Sequence, residues 1–324
     1  MQLVICDAEG SPVRSTSDYT LDLQYGDGAC DFSLDVGGTP LAPGWRVACD
    51  GTPFGGVVDT LCVSHLESGD SRRYKGRSVQ GVLAGKVVLP PDGADHLVLS
   101  GDANVVIAGV VARVGLSGYL SVPTTPSGIG VPGYQFHRYV DAYTGLRMAM
   151  ASAGARLRFC HSDDGWVVSA VPSGLYGQVE SERVYFSLES AMRPVNHLVG
   201  LGKGEGADRA VSHWYADASG AVSQTQTLKG VDEVALAYEL TSEEADTLPA
   251  KTRLKLIEYQ EASEADITLP PGADLDVGDS VVLSSASCNV SAAAQVVGVV
   301  LKASGGVAKV DYRFGIPDYP DDGK

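Results

Sequence analysis

From Leu21 the sequence alternates apolar and polar residues, a pattern that is buried on one side only if the chain runs as a half-buried strand. Leu21-Asp22-Leu23-Gln24-Tyr25 does so first, and Cys30-Asp31-Phe32-Ser33-Leu34-Asp35-Val36 repeats it. The intervening Gly26-Asp27-Gly28 supplies a hairpin turn, so two antiparallel strands are predicted. Residues 45–49, 54–65 and 72–77 continue the pattern, broken by Asp50-Gly51-Thr52-Pro53 and Glu67-Ser68-Gly69-Asp70. About six strands are thus expected before a short helix over 78–86. Pro90-Pro91, which can extend neither ladder nor helix, closes a first barrel-like module at residues 1–91.

The texture changes after residue 92. Ser100-Gly101-Asp102-Ala103 offers an N-cap for an apolar helix through Val114, and 139–153 repeats a helical spacing with Val140, Tyr143, Leu146 and Met150 on one side. Between them the stretch from Pro123 to Gly133 reads as an exposed loop, and 157–160 with 166–171 form a hairpin around Asp163-Asp164-Gly165. Residues 92–185 therefore form an α+β middle domain. Strands return at 195–201, 210–215 and 233–238. Thr241-Ser242-Glu243-Glu244 has the spacing of a capping box for a helix to about Gln260, with a break at Pro249. Four further strands over 266–314 complete a second barrel-like module at 186–316, and 317–324 reads as a disordered tail. The fold class is mainly β with an α+β insertion: two tube-like β-barrel modules flanking a middle α+β domain.

Composition bounds the function. No apolar run reaches the roughly 18–20 residues of a membrane-spanning helix, and the start, with Asp7 interrupting any apolar segment, lacks a secretory leader, so synthesis and residence in a cytosol are expected. Forty acidic against 24 basic residues give a formal charge of −16, spread along the chain, which repels a phosphate backbone. Six cysteines without C-x-x-C spacing indicate neither a disulfide framework nor a zinc cluster, and read as buried thiols.

The stretch Leu198-Val199-Gly200-Leu201-Gly202-Lys203-Gly204-Glu205-Gly206-Ala207-Asp208-Arg209 has the look of a phosphate cradle. A Walker loop, however, needs Ser or Thr after its lysine and a helix beyond; here Gly204 follows Lys203, and Ala210 to Tyr215 alternate like a strand. A dinucleotide fingerprint fails on spacing. The glycines instead fit a β-turn-β connection that needs positive φ or close backbone approach, with Lys203 a solvated or intersubunit charge. The histidines at 65, 96, 137, 161, 197 and 213 never fall in metal-binding spacing, and Cys160-His161, neighbours in a strand, should point to opposite faces. No G-x-S-x-G elbow occurs, although a carboxylate enzyme stays open, since spacing alone cannot bring two acids together. Trp45, Trp166 and Trp214 read as core or subunit-interface residues. No catalytic residue, cofactor-binding residue, cofactor or metal site is predicted.

Tyr74-Lys75-Gly76-Arg77-Ser78-Val79-Gln80-Gly81-Val82-Leu83-Ala84, followed by Lys86 and Val87-Val88-Leu89-Pro90-Pro91, resembles the end of the first barrel in tail hub proteins of long-tailed, siphovirus-type bacteriophages. Asn196 to Glu205 running into Asp208-Arg209 and Tyr215-Ala216-Asp217 is similar to the same family, as is Leu275-Asp276-Val277-Gly278-Asp279-Ser280-Val281 near its final barrel. The resemblance extends to the baseplate hub of contractile phages and the N-terminal part of tail-associated tip proteins. It implies a structural, non-enzymatic virion component of a phage or prophage tail, assembled in the bacterial host cytoplasm. A homotrimer would form a pseudo-sixfold ring joining tail tube to tail tip. The implied partners are the distal tail protein, the tape-measure protein and tail-tip or fibre proteins, with DNA only in transient passage. Because the sequence ends at Lys324 with no hydrolase signature, other tip proteins are expected to dock onto it. A carbohydrate-binding or carbohydrate-cleaving β protein of the tail tip is the alternative.

Overall fold

The computed structural model describes residues 1–66, 69–162, 164–177, 184–190, 193–241, 243–261, 263–270, 272–317 and 319. In chain order it holds β1 (Leu3–Cys6), β2 (Pro12–Thr16), β3 (Tyr19–Gly26), β4 (Asp31–Val36), β5 (Arg46–Ala48), β6 (Gly55–Leu66), β7 (Gly69–Ser78) and α1 (Val79–Ala84). Then follow β8 (Val98–Asp102), α2 (Ala103–Arg113), β9 (Leu120–Ser121), β10 (Gly130–Gln135), α3 (Ala142–Ala151), β11 (Ala155–Ser162), β12 (Gly165–Pro172) and β13 (Leu175–Tyr176). The remainder comprises β14 (Tyr185–Ser190), β15 (His197–Leu201), β16 (Val211–Ala216), β17 (Val222–Ser223), β18 (Ala235–Glu239), α4 (Leu248–Glu261), β19 (Ser263–Thr268), β20 (Ser280–Ser285), β21 (Val290–Ser304) and β22 (Val307–Gly315). The protein is mainly β, with a small helical complement.

Contacts divide the chain into Met1–Val184 with Leu269–Lys324 as one unit and Tyr185–Thr268 as the other. The first unit carries an eleven-stranded sheet in the order β13-β20-β21-β3-β4-β7-β6-β5-β1-β2, with β22 also on β21. β21 makes this continuity. It pairs with β20 over Val290–Gln295, with β3 over Gly298–Ser304, and with β22 from Gln295 to Ser304. The residues expected to make one C-terminal module, 186–316, are therefore shared between the two units. Alternation tells which residues are strands; which edge they join depends on contacts hundreds of residues apart.

Within β3 the pattern is the expected one: Leu21, Leu23 and Tyr25 are buried, while Thr20 and Asp22 are exposed. The helices of this unit start where their caps dictate. Ser78 Oγ accepts from Gly81 N, Asp102 from Asn104 N and Asp141 from Thr144 N, each satisfying an amide that has no intrahelical partner. Asp102 also accepts from Ser127 N and Oγ and from Gly128 N, which pins the 123–129 loop to the start of α2. The second half of the expected loop is a strand, β10, paired with β8 across an irregularity between Val131 and Tyr134. One core runs through the helices and the β11–β12 hairpin, with Leu83, Ile107, Val110, Leu146, Met150 and Val168 fully buried. Because α1 contributes to it, residues 92–185 share their core with the end of the first module.

Charged side chains close this unit from inside. Arg156 on β11 donates from Nε to Asp279 Oδ1 at 2.6 Å and faces Asp276 Oδ2 at 3.6 Å, while Tyr25 Oη donates to Asp276 Oδ1 at 2.9 Å. Asp279 also accepts from Gly174 N and Asp276 N, so both of its carboxylate oxygens are hydrogen-bonded. Arg147, 7 % exposed, meets Asp27 at 2.5 Å. Burial raises the Asp276 carboxyl from its ordinary value to about 6, against the opposing pull of Arg156.

The second unit holds the pair β14–β19 and a four-stranded sheet, β17-β16-β15-β18, in which β15 and β18 run parallel. Helix α4 covers one face, over Leu198, Ala216 and its own Leu256. The helix begins at Leu248, later than the capping-box spacing suggests, and Ser242 of that motif lies outside the described residues. Pro249 falls in the first turn, where no intrahelical amide bond is lost, so it starts the helix instead of breaking it. The turns around Glu67-Ser68 and Asp163, and most of the 317–324 tail, also lie outside the described residues.

A raised native pKa means that the folded protein binds the Asp276 proton more tightly than the unfolded chain, so stability falls as pH rises from about 4 to about 6. Relative to Asp276→Asn, which does not titrate, the wild type should lose up to about 3 kcal/mol between pH 4 and pH 7, read from urea unfolding across that range. Arg156→Ala should cost about 3–5 kcal/mol at pH 7.5, because it leaves two carboxylates in a largely buried site without their cation.

Candidate functional site

The glycine-rich stretch lies where β15 passes into β16. Its amides are already engaged: Gly202 N donates to Ala210 O, Ala210 N to Lys203 O and Lys203 N to Glu243 O. The chain then makes a short 3-10 turn at Gly206–Asp208 and enters the β16 strand. Lys203 Nζ donates to Glu244 Oε1 at 2.5 Å, which holds the ammonium above its usual range. Arg209 pairs with Glu239 and donates to the carbonyls of Leu201 and Gly202. Both cations nearest the glycines are thus paired to carboxylates, a poor surface for phosphate. The glycines answer to packing. A Cβ on Gly200 would lie 2.0 Å from Thr252 Oγ1 of α4, and Gly204, at φ +110°, turns where a Cβ would meet Asp208 O at 2.7 Å.

On the face of the sheet opposite α4 the structure assembles a group that sequence spacing did not bring together. The β15–β16 register sets His197 opposite Tyr215 and Val199 opposite His213, so the two histidines are diagonal neighbours on one face. His197 Nε2 lies 3.0 Å from His213 Nδ1, and the His197 and Tyr215 rings stack at 4.4 Å. Glu233 Oε1 reaches His197 Nδ1 at 2.6 Å. Asn196 makes that reach possible: its Nδ2 donates to Asp232 O and its Oδ1 accepts from Val234 N, clamping the segment before β18 to the start of β15. His197 is 14 % exposed and His213 is exposed. Spacing along the sequence marks neither histidine as a partner of the other, since only the register of β15 on β16 makes them neighbours, and Glu233, in the segment before the parallel strand β18, is equally silent.

The other candidates stand apart. His161 Nδ1 lies 2.6 Å from Asp50 Oδ1 and its ring meets the edge of Trp166, while its strand neighbour Cys160 pairs across the hairpin with Val167. His65 pairs with Asp70, and His96 Nδ1 contacts Phe136 O at 3.2 Å. Trp166 is in the core of the first unit and Trp214 packs against that of the second. The thiols depart from expectation: Cys6 and Cys49 are buried, Cys30, Cys62 and Cys160 half-buried, and Cys288 exposed in the turn between β20 and β21. Hydroxyls, not an apolar pocket, lie beside that last thiol: hydrogen bonding to Ser285 and Ser287 lowers its pKa, and the Cys288 amide donates to Ser285 Oγ. Among the described residues no group of three or more His, Cys, Asp or Glu side chains converges as a metal site, and no helix is long and apolar enough to cross a membrane.

Neighbours among solved structures are phage and prophage tail proteins. The tail protein from Neisseria meningitidis MC58 matches at 14 % identity and a TM-score of 0.47, over 96 % of this chain and 95 % of that one. The 43 kDa tail protein of prophage MuSo2 from Shewanella oneidensis matches at 13 % identity and a TM-score of 0.48, over 98 % and 99 %. Prophage tail protein gp18 from Listeria monocytogenes EGD-e matches at 11 % identity and a TM-score of 0.46, over 98 % and 95 %. No protein-family model matches this sequence, and no curated protein matches it.

Gly200→Ala should destabilise the protein by about 1–3 kcal/mol through displacement of α4, with part of the loss recovered by Thr252→Ala in the same chain. Lys203→Ala should leave the urea unfolding midpoint essentially unmoved, since its ion pair is exposed, and neither form should retain ATP or GTP in equilibrium dialysis.

Proposed function

We propose that this chain is a structural tail hub protein of a phage or prophage, a homotrimer whose pseudo-sixfold ring joins the tail tube to the tail tip and lets DNA pass. The observation that carries this reading is the family resemblance at three separate places, each of which occupies a defined junction of the fold. Tyr74 to Ala84 is the end of β7 running through the Ser78 cap into α1. Asn196 to Glu205 enters β15 and its turn, and Tyr215-Ala216-Asp217 closes β16. Leu275 to Val281 is the turn that carries Asp276 and Asp279 into β20. A resemblance that falls on caps and turns is more specific than one on strands, because alternating strands resemble one another in any β protein.

In this reading the modules act by surface and charge, without turnover. The formal charge of −16 suits a conduit that must not retain phosphates. Distal tail, tape-measure and tip or fibre proteins are the partners, and the virion tail, assembled in the bacterial host cytoplasm, is the location.

Light scattering with negative-stain microscopy tests the assembly, on the chain alone and co-expressed with a distal tail protein. Threefold rings with a central opening are expected in at least one preparation. Monomers in both, or glycan binding or cell-wall hydrolysis by the purified chain, would replace the hub with a carbohydrate-directed β protein. Double-stranded DNA should migrate unretarded with the protein at low ionic strength, and a retarded band would remove the passage role.

A further inference from the structure

We infer that His197 and His213 form a binding site for a borderline transition-metal cation of the Ni²⁺ or Cu²⁺ class, with Glu233 setting the ligand tautomer. The inference rests on the second unit alone and is independent of the hub reading. Glu233 Oε1, 2.6 Å from His197 Nδ1, accepts its proton and leaves the Nε2 lone pair directed at His213. A carboxylate behind an imidazole is the usual outer partner of a metal-bound histidine, and it raises the basicity of the nitrogen that binds. Stacking on Tyr215 at 4.4 Å fixes the plane of the His197 ring.

The donor set selects the metal. His197 Nε2 and His213 Nδ1, 3.0 Å apart on one sheet face, become a cis pair at a shared cation once the rings rotate out of their hydrogen bond. Imidazole nitrogens suit the later first-row divalent ions, of which Ni²⁺ and Cu²⁺ accept a cis pair with water in the other positions. In the absence of metal the same two nitrogens share a hydrogen bond, His213 Nδ1–H donating to His197 Nε2. Cation binding takes the place of that hydrogen bond: the His213 proton passes by way of solvent from Nδ1 to its exposed Nε2, which frees the Nδ1 lone pair and leaves the imidazole neutral, with no net proton released. The described side chains supply two ligands, so water fills the remaining positions.

Isothermal titration of the full chain with NiCl₂ or CuCl₂ at neutral pH tests this. One cation per chain is expected, with no heat from CaCl₂ or MgCl₂, which prefer oxygen ligands. His213→Ala, an exposed position whose fold is checked by circular dichroism, should abolish this binding. Glu233→Gln should weaken it on the order of tenfold while keeping its stoichiometry. The electron paramagnetic resonance spectrum of the Cu²⁺ form should report two imidazole nitrogens in the wild type and fewer in His213→Ala. Absence of binding by the wild type, or binding unchanged in His213→Ala, would overturn the site and leave a hydrogen-bonded histidine pair.

Discussion

Arg156 holds the first unit to its strand order. Through Asp279 and Asp276 it joins the β11–β12 hairpin to the turn before β20, and Tyr25 of β3 donates to the second of these, Asp276. Three segments far apart in the chain meet at one largely buried charge. Desolvation and Coulombic attraction largely offset each other in such a site, so its main consequence is selection. Moving the 275–279 turn away from β11 would part Asp276 and Asp279 from that cation. With the turn in place β20 follows, β21 follows β20, and β21 then pairs with β3 to complete the eleven-stranded sheet.

The second unit obeys a different constraint, one of distance. Helix α4 lies so close to β15 that Gly200 cannot carry a side chain opposite Thr252. The glycines that suggest a phosphate loop are there because a helix crosses a strand at close range and because the chain must turn through positive φ at Gly204. Close approach of α4 over one face leaves the other open, and that open face is where His197, His213 and Tyr215 line up. The same hairpin register therefore removes one chemical reading of this stretch and creates another.

Legibility followed the range of the interaction. The hairpin of β3 and β4, the cap Asp102 and the β11–β12 hairpin rest on residues within a few positions of one another, and they stand where the pattern puts them. Helix α4 starts at Leu248 and not at the Thr-x-x-Glu spacing, because the preference of Pro249 for a first turn is the stronger signal. The middle segment looked separate because its helices differ in texture from the strands before it, yet Leu83 of α1 and Leu146 of α3 share one core. The histidine group left no trace in spacing: His197 and His213 meet through the β15–β16 register, and Glu233 comes from the segment before a parallel neighbour, which is set by a crossover and not by a turn.

By itself the sequence determined the local grammar of this protein: period-two strands, the turns between them, the capped helices, the acidic balance and the absence of a nucleotide loop. Each of these is decided within a window of about ten residues, by side-chain alternation and backbone preference. Only the tertiary structure decided which edge β20–β22 would join, where the chain divides, and which ionisable groups would meet. Those outcomes depend on burying charge beside its partner and on registering strands across long loops. Neither leaves a periodic trace in the residues that take part.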